Sequence, residues 1–314
     1  MKRIPVFAAI TICSLFLSVF AFACTPVSAA EPEDSISDSI STHVIFLGFD
    51  GWGSSSFEEA EMPFLKSMIP ESAWTLKKRS ILPSSSACNW ATMFKGAGPE
   101  AHGFIDWNTK IPAFDITYSD DKGFFPSIFS ICREALPTCE MAYYYQWDGM
   151  KFIIDTEDFD SVRKFNATEE GKDQMTDVAI EYIKDKKPNL AAFIWDYPDA
   201  IGHTQGWYSE AYMTDLQAVD TIIEKIVQAC EEAGIREQTL FIVTSDHGGH
   251  LKTHGQALMS DLETPFIIFG SRVVPQIITA PLMQYDVASI LADYLHLEKP
   301  KGWRGVTPEG LFSY

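Results

Sequence analysis

Short apolar runs alternate with longer amphipathic segments from His43 almost to the end of the chain. The runs are rich in β-branched and aromatic side chains, a pattern typical of strands buried on both faces. They lie at residues 43–49, 140–145, 190–195, 240–244 and 265–270. Helical spacing of apolar residues predicts helices at residues 62–68, 124–136, 168–187, 208–233 and 285–295. The alternation predicts an α/β domain with a mostly parallel central sheet and helices on both faces.

The first 29 residues form a separate segment that is predicted to be a signal peptide. Two basic residues precede an almost wholly apolar stretch, residues 4–24, and small residues around Ala29 provide a cleavage site. An uncleaved membrane anchor is the alternative for an apolar run of this length, and lipid attachment at Cys24 is a further one. Residues 30–42 are acidic and serine-rich, which predicts a flexible tether. We therefore expect a secreted or periplasmic protein with one folded domain, residues 43–314, and no stable membrane span after processing.

The composition is that of a globular domain, and it limits the partners. The 314 residues are 46% hydrophobic and 21% charged, the balance of an ordinary folded protein with a sizeable core. The formal net charge is −19, so no basic surface for a nucleic-acid duplex is expected. The sequence leaves open the oligomeric state, the use of the glycosylation sequon at Asn166, and the pairing of the cysteines outside the leader, which are Cys88, Cys132, Cys139 and Cys230.

Carboxylate and imidazole side chains follow the predicted strands at their carboxyl ends. Ligand sites in open α/β sheets lie in the crevice beyond those ends, and both kinds of side chain bind zinc well. The residues concerned are Asp50, Asp199, His203, Asp246, His247 and His254. Each position alone has a structural alternative, a helix cap or a polar turn with incidental histidines. Together they predict a site for divalent metal ions.

A serine triplet at residues 84–86 supplies a candidate nucleophile. It follows a strand-like run at Ile81 and Leu82 and precedes a helix-like segment. The free N–H groups and the dipole at a helix N-terminus favour an anion there. A plain serine N-cap is the alternative, and the triplet alone does not show which hydroxyl does chemistry.

The motifs along the chain resemble the alkaline phosphatase superfamily, and most closely its nucleotide pyrophosphatase/phosphodiesterase-like branch. They occur in the family's order, and the combination of YPDAIGH with SDHGGH is the most specific part. The matching stretches are FLGFDG at 46–51, SACNWATMFKGAGPEAHG at 86–103, YPDAIGH at 197–203, SDHGGH at 245–250, THG at 253–255 and TPFIIFG at 264–270. The resemblance implies an alkaline phosphatase-like fold and a metal-dependent phosphohydrolase.

The resemblance also implies a role for each candidate residue. In the family the nucleophile stands three residues before an asparagine, which selects Ser86, with the Asn89 amide facing a phosphoryl oxygen. Two divalent ions, most consistent with zinc, are implied, and a hydroxyl beside such an ion attacks as an alkoxide near neutral pH. A phosphoseryl intermediate is the expected course. The implied ligand sets are Asp199, His203 and His254 for one ion and Asp50, Asp246, His247 and Ser86 for the other.

A phosphodiester or a nucleotide pyrophosphate is the small-molecule substrate that the resemblance implies. A phosphomonoester is the alternative. In alkaline phosphatases an arginine closely follows the nucleophile, whereas no arginine closely follows Ser86 here. A sulfatase is disfavoured because the Cys-x-Pro-x-Arg element is missing. A non-catalytic binding protein on the same fold is a further alternative, although this sequence retains every metal ligand and the nucleophile that the resemblance implies. His102 and His250 are expected to be structural.

Overall fold

The computed structural model describes residues 42–313. Its centre is a sheet of eight strands in the order β4-β3-β5-β1-β6-β7-β2-β8. The strands are β1 His43–Phe49, β2 Ala73–Arg79, β3 Met141–Tyr145, β4 Ser161–Lys164, β5 Leu190–Trp195, β6 Thr239–Thr244, β7 Glu263–Gly270 and β8 Gln276–Ile277. Neighbouring strands are parallel except where β7 pairs with β6 and with β2. The prediction of a mostly parallel sheet is confirmed.

Helices cover both faces of this sheet, as predicted. They are α1 Pro63–Met68, α2 Ser86–Lys95, α3 Pro99–His102, α4 Ile128–Ala135, α5 Glu169–Lys186, α6 Asp199–Gln205, α7 Glu210–Glu232, α8 Met259–Leu262 and α9 Asp286–Tyr294. On one face, Trp90 and Phe94 of α2 pack against Phe46. On the other, Ile223 of α7 shares a core with Leu47. Successive side chains of β1 point to opposite faces of the sheet, and each face is covered by helices, so the side chains on both faces must be apolar.

Local capping explains where two helices depart from their predicted bounds. Helix α4 begins at Ile128 rather than at residue 124, because Ser127 and Ser130 form a reciprocal capping box. Helix α7 begins at Glu210 because the Ser209 hydroxyl accepts a hydrogen bond from the Tyr212 N–H. The apolar pattern therefore predicts these helices well and their first residues less well.

Strand β2 is the element that the apolar pattern does not reveal. Its sequence, AWTLKKR, ends in three basic residues, yet the Lys78 side chain is fully buried. The prediction of a strand-like run at Ile81 and Leu82 was wrong, because these residues lie in the loop between β2 and α2. The strand forms here because β7 and β8 pair with both of its edges.

The predicted signal peptide and nearly all of the tether, residues 1–41, lie outside the described residues. Between residues 42 and 313, no helix combines the length and the apolar character needed to cross a bilayer. The domain bounds at the N-terminus stay a prediction.

Candidate metal centre

The carboxyl ends of three adjacent strands bring the candidate residues together. Strands β5, β1 and β6 are neighbours, and the backbone groups at their ends are linked directly. The Asp50 N–H donates to Trp195 O at 2.9 Å, and the Asp199 N–H donates to Asp50 O at 3.0 Å. The Gly51 N–H donates to Asp246 Oδ1 at 3.2 Å. The ends of the strands thus fix three carboxylates in one crevice.

One group of candidate ligands, Asp50, Asp246 and His247, is fully buried, and we call it the inner group. Its donor atoms all lie within 4.8 Å of one another. His247 Nε2 is 3.4 Å from Asp50 Oδ1 and 3.3 Å from Asp246 Oδ2. The Ser86 hydroxyl lies 3.2 Å from the same nitrogen. The predicted members of this ligand set therefore meet in the structure.

The second set, Asp199, His203 and His254, lies nearer the surface, and we call it the outer group. His203 Nε2 is 3.4 Å from Asp199 Oδ2, and His254 Nε2 is 3.8 Å from Asp199 Oδ1. The His254 ring stacks on His247 with centroids 3.8 Å apart. The tightest cluster around Asp199 contains His254 and His247 rather than His203. The two sets are therefore contiguous, and His247 stands between them.

Hydrogen bonds to backbone carbonyls orient all three imidazoles. Nδ1 of His247 lies 2.8 Å from Gly248 O, and Nδ1 of His254 lies 2.9 Å from Ser84 O. Nδ1 of His203 lies 3.1 Å from Lys252 O. A carbonyl only accepts, so each Nδ1 carries the proton and each Nε2 lone pair faces the carboxylates. This arrangement is the one that metal-binding histidines generally show.

The carboxylates face one another without enough donors. Asp50 Oδ1, Asp199 Oδ1 and Asp246 Oδ2 are buried and accept no hydrogen bond. Burial and the neighbouring carboxylates raise the pKa of Asp50 well above its usual range, and burial raises the pKa of Asp246 to about 7. Burial lowers the pKa of His247 and of His254 to about 3. Neutral imidazoles beside mutually repelling carboxylates fit divalent cations, and nitrogen with oxygen donors suits zinc.

Only one hydroxyl of the triplet, that of Ser86, is hydrogen-bonded to a candidate ligand. Ser86 is the first residue of α2 and contacts His247. The Ser84 hydroxyl donates instead to Gln256 O at 2.9 Å, and the Ser85 hydroxyl is buried without a partner. The geometry is consistent with the selection of Ser86.

Asn89 requires a correction, because its amide does not face the cluster. Nδ2 donates to the carbonyls of Ile81, Pro83 and Ser85 at 3.1, 3.1 and 3.0 Å. Oδ1 accepts from the Ile81 N–H at 2.7 Å, and the side chain is fully buried. An amide occupied in this way has no N–H left for a phosphoryl oxygen. Asn89 folds the loop before α2 and so positions Ser86.

Two tryptophans support the cluster in ways that the sequence did not indicate. Trp90 Nε1 donates to Asp50 Oδ2 at 3.0 Å. Trp207 Nε1 donates to Gly51 O at 2.9 Å, and the Trp207 ring lies edge-on to His203 with centroids 5.1 Å apart. The only sequence feature that could have indicated a role for Trp90 is its position one helical turn after Ser86.

The remaining histidines and cysteines lie outside the cluster. His102 Nε2 contacts the Thr92 hydroxyl at 3.0 Å, and His250 Nδ1 contacts Asp261 at 2.8 Å, as expected for structural histidines. The four described cysteines are free thiols. Those at positions 132 and 139 are neighbours, with sulfur atoms 3.7 Å apart.

The fold is of the alkaline phosphatase type, as its structural neighbours show. The murine ectonucleotide pyrophosphatase/phosphodiesterase 5, solved as an inactive variant in complex with AMP, superimposes with a TM-score of 0.72 at 16% identity, covering 87% of this chain and 100% of that one. A 2-O GAG sulfatase superimposes with a TM-score of 0.66 at 12% identity, covering 85% of this chain and 73% of that one.

The sequence comparison then identifies the family. The family model described as type I phosphodiesterase / nucleotide pyrophosphatase matches residues 44–255, and the chain belongs to this family. The human bis(5'-adenosyl)-triphosphatase ENPP4 is 22% identical over 219 residues, 68% of this chain and 48% of that protein. Member 1 of the ectonucleotide pyrophosphatase/phosphodiesterase family from Rattus norvegicus is 23% identical over 195 residues, 60% of this chain and 21% of that protein. The chain thus spans about half or less of the length of these relatives.

Proposed function

We propose that this protein is an exported two-metal phosphohydrolase that cleaves a phosphodiester or a nucleotide pyrophosphate bond through a phosphoseryl intermediate on Ser86. The contact between the Ser86 hydroxyl and His247 Nε2, 3.2 Å long, carries the proposal. It places a hydroxyl at the edge of a buried group of cation ligands. Two relatives, a bis(5'-adenosyl)-triphosphatase and a phosphodiesterase solved in complex with AMP, support a nucleotide substrate.

The inner and outer groups would each hold one divalent cation, most consistent with zinc. Such ions, when bound, supply positive charge that lowers the pKa of a neighbouring hydroxyl and polarises phosphoryl oxygens. The Asp and His side chains of the two groups would hold the ions and so fix the position of this charge. Their unpartnered oxygens and Nε2 lone pairs are the observation that fits the ions.

Ser86 begins the chemistry by attacking phosphorus. The Ser86 hydroxyl loses its proton to solvent and its oxygen forms a bond to phosphorus, while the bond from phosphorus to the leaving oxygen breaks. Water then cleaves the phosphoserine, which returns a proton to Ser86 and releases the phosphate product. The N-terminus of α2 favours the negative charge of the phosphoryl group next to Ser86. Asn89 holds the preceding loop and keeps this hydroxyl on the cluster.

A diester or pyrophosphate is favoured over a monoester by the position of Arg79. A monoester dianion is best bound by a guanidinium in a two-bond fork. Arg79 is the arginine nearest before Ser86 in sequence, and it pairs with Glu263 at 3.7 Å across β2 and β7. This ion pair engages the Arg79 guanidinium, which supports a diester or pyrophosphate substrate over a monoester.

A hydrolysis panel tests the proposal. The substrates are a nitrophenyl phosphomonoester, a nitrophenyl diester of a nucleotide and a dinucleoside polyphosphate, each with zinc or with chelator. We expect cleavage of the second and third, loss of activity in chelator and recovery with zinc. Preference for the monoester would instead support the alternative function. Full activity after complete metal removal would exclude the two-metal mechanism.

A further inference from the structure

A fully buried lysine lies behind the inner group. Lys78 of β2 is 0% exposed. Its ammonium donates to Ser245 O at 2.8 Å and to Gln284 Oε1. Both acceptors are neutral, and a buried ammonium without a carboxylate partner is costly.

These hydrogen bonds lead to the peptide groups next to Asp246. Gln284 Nε2 donates to Asp246 O at 3.1 Å, and the Ser80 hydroxyl donates to the same oxygen at 2.6 Å. Three donors thus hold two consecutive carbonyls, those of Ser245 and Asp246. We call Lys78, Gln284 and Ser80 the rear clamp.

The rear clamp holds the backbone from which the Asp246 carboxylate projects. With the backbone held from behind, Oδ1 meets the Gly51 N–H and Oδ2 stays free beside His247 Nε2, 3.3 Å away. Gln284 lies beyond residues 44–255, the part that the family model matches. The family model therefore covers Lys78 and Ser80 of the clamp but not Gln284.

A second buried lysine provides a comparison. Lys95 at the end of α2 is 2% exposed, and its ammonium donates to Phe125 O at 2.7 Å. Phe125 belongs to a segment that holds none of the candidate ligands. Both lysines are buried ammonium groups bonded to carbonyls, but only Lys78 contacts the loop that bears Asp246.

We propose that Lys78 is a positioning residue, which sets the Asp246 carboxylate for cation binding through Ser245 O and Gln284. Its consequence for turnover rests on the proposed function, whereas its consequence for cation affinity does not. Outer-shell partners of metal ligands typically contribute about 10- to 100-fold in affinity or activity.

The test measures zinc affinity by competition with a chromophoric chelator, together with melting temperature, kcat and KM. Lys78→Met keeps an unbranched apolar side chain and removes the ammonium, and Gln284→Leu removes the amide. We expect both to weaken the binding of one zinc ion by about 10- to 100-fold and to lower kcat more than KM. Lys95→Met is the matched control, and it should lower the melting temperature while zinc affinity stays that of the wild type.

Two outcomes would overturn the proposal. One is wild-type zinc affinity in Lys78→Met and Gln284→Leu, and the other is an equal loss in Lys95→Met. If Lys78→Met does not fold, Gln284→Leu and Ser80→Ala carry the same test, and wild-type affinity in both would overturn it. Weakened zinc binding in a protein that hydrolyses none of the panel substrates would reject the proposed function and leave the clamp standing.

Discussion

The inner and outer groups use the same kinds of side chain but are built differently. Asp50, Asp246 and His247 have side chains no more than 3% exposed and lie directly at the ends of β1 and β6. In the outer group, His203 is 44% exposed and Asp199 12%. Their residues come from α6 and from the loop after SDHGGH.

This difference indicates how each group is held in place. Paired strands hold the inner group, because Gly48 of β1 is in register with Thr244 of β6. The outer group depends on loop carbonyls, since His203 and His254 bond to Lys252 O and Ser84 O. We therefore expect the inner ion to be held more tightly and the outer ion to exchange more readily.

The largest expected effect is a loss of turnover, and it distinguishes the role of the nucleophile from that of the inner and outer groups. Ser86→Ala removes one hydroxyl and no carboxylate, so turnover should fall at least about a thousandfold while both ions stay bound. Ser84→Ala is the matched control, because its hydroxyl contacts Gln256 O, and Ser85→Ala should also stay active. Steady-state kinetics with elemental analysis checks this. An inactive Ser85→Ala beside an active Ser86→Ala would show that another serine is the nucleophile.

His247→Ala should have the largest effect on metal content. From the family pattern, only the ion beside Ser86 would be lost, but His247 is in contact with both groups. We therefore expect loss of the inner ion and weaker binding of the outer one, down to about one ion per chain or fewer. His43→Ala is the control, since His43 lies at the opposite end of β1. Elemental analysis after dialysis gives the result, and two retained ions would contradict the arrangement.

Changes in the outer group should have smaller and graded effects. His254→Ala removes a ring that stacks on His247 and faces Asp199, so the outer ion, about one per chain, should be lost. His203→Ala removes a half-exposed ring, so the outer ion should exchange faster but still bind at higher zinc concentration. Zinc titration of both variants measures the difference. Equal losses in the two variants would show that exposure does not govern the affinity.

The smallest effect concerns pH and the inner group without metal. Burial raises the pKa of Asp246 from 3.8 to about 7, so burial favours the protonated form. Stability from this group is present at low pH and is lost as pH rises through about 7. In chelator, the wild type should therefore lose stability relative to Asp246→Asn between about pH 4 and 7, on the order of 1 kcal/mol per pH unit.

Zinc should reverse this trend, because the ion binds the ionised carboxylate. Denaturant unfolding of both proteins across this range, with and without zinc, measures the effect. A difference in the free energy of unfolding that does not change with pH would show that burial does not favour the protonated form of Asp246.

Much of the fold and the positions of the candidate ligands could be predicted from the sequence. Strands buried on both faces are apolar throughout, so β1, β5 and β6 are visible as runs, and Asp50 and Asp246 follow such runs directly. Since parallel strands end at one edge, the convergence of these carboxylates follows from the topology. Strand β2 was not predictable in this way, because Lys78 carries a charge and is buried only through partners 167 and 206 residues away.

The sequence by itself determined the class of fold, the order of the motifs and the set of residues that could bind cations. Only the tertiary structure decided which of three adjacent serines meets His247, 161 residues later, and how His247 is shared between the two groups. It also decided that the Asn89 amide folds a loop instead of facing the cluster. The physical reason is the same in each case. Residue type determines what a side chain can bind, whereas its direction is set by backbone groups that the fold brings into contact.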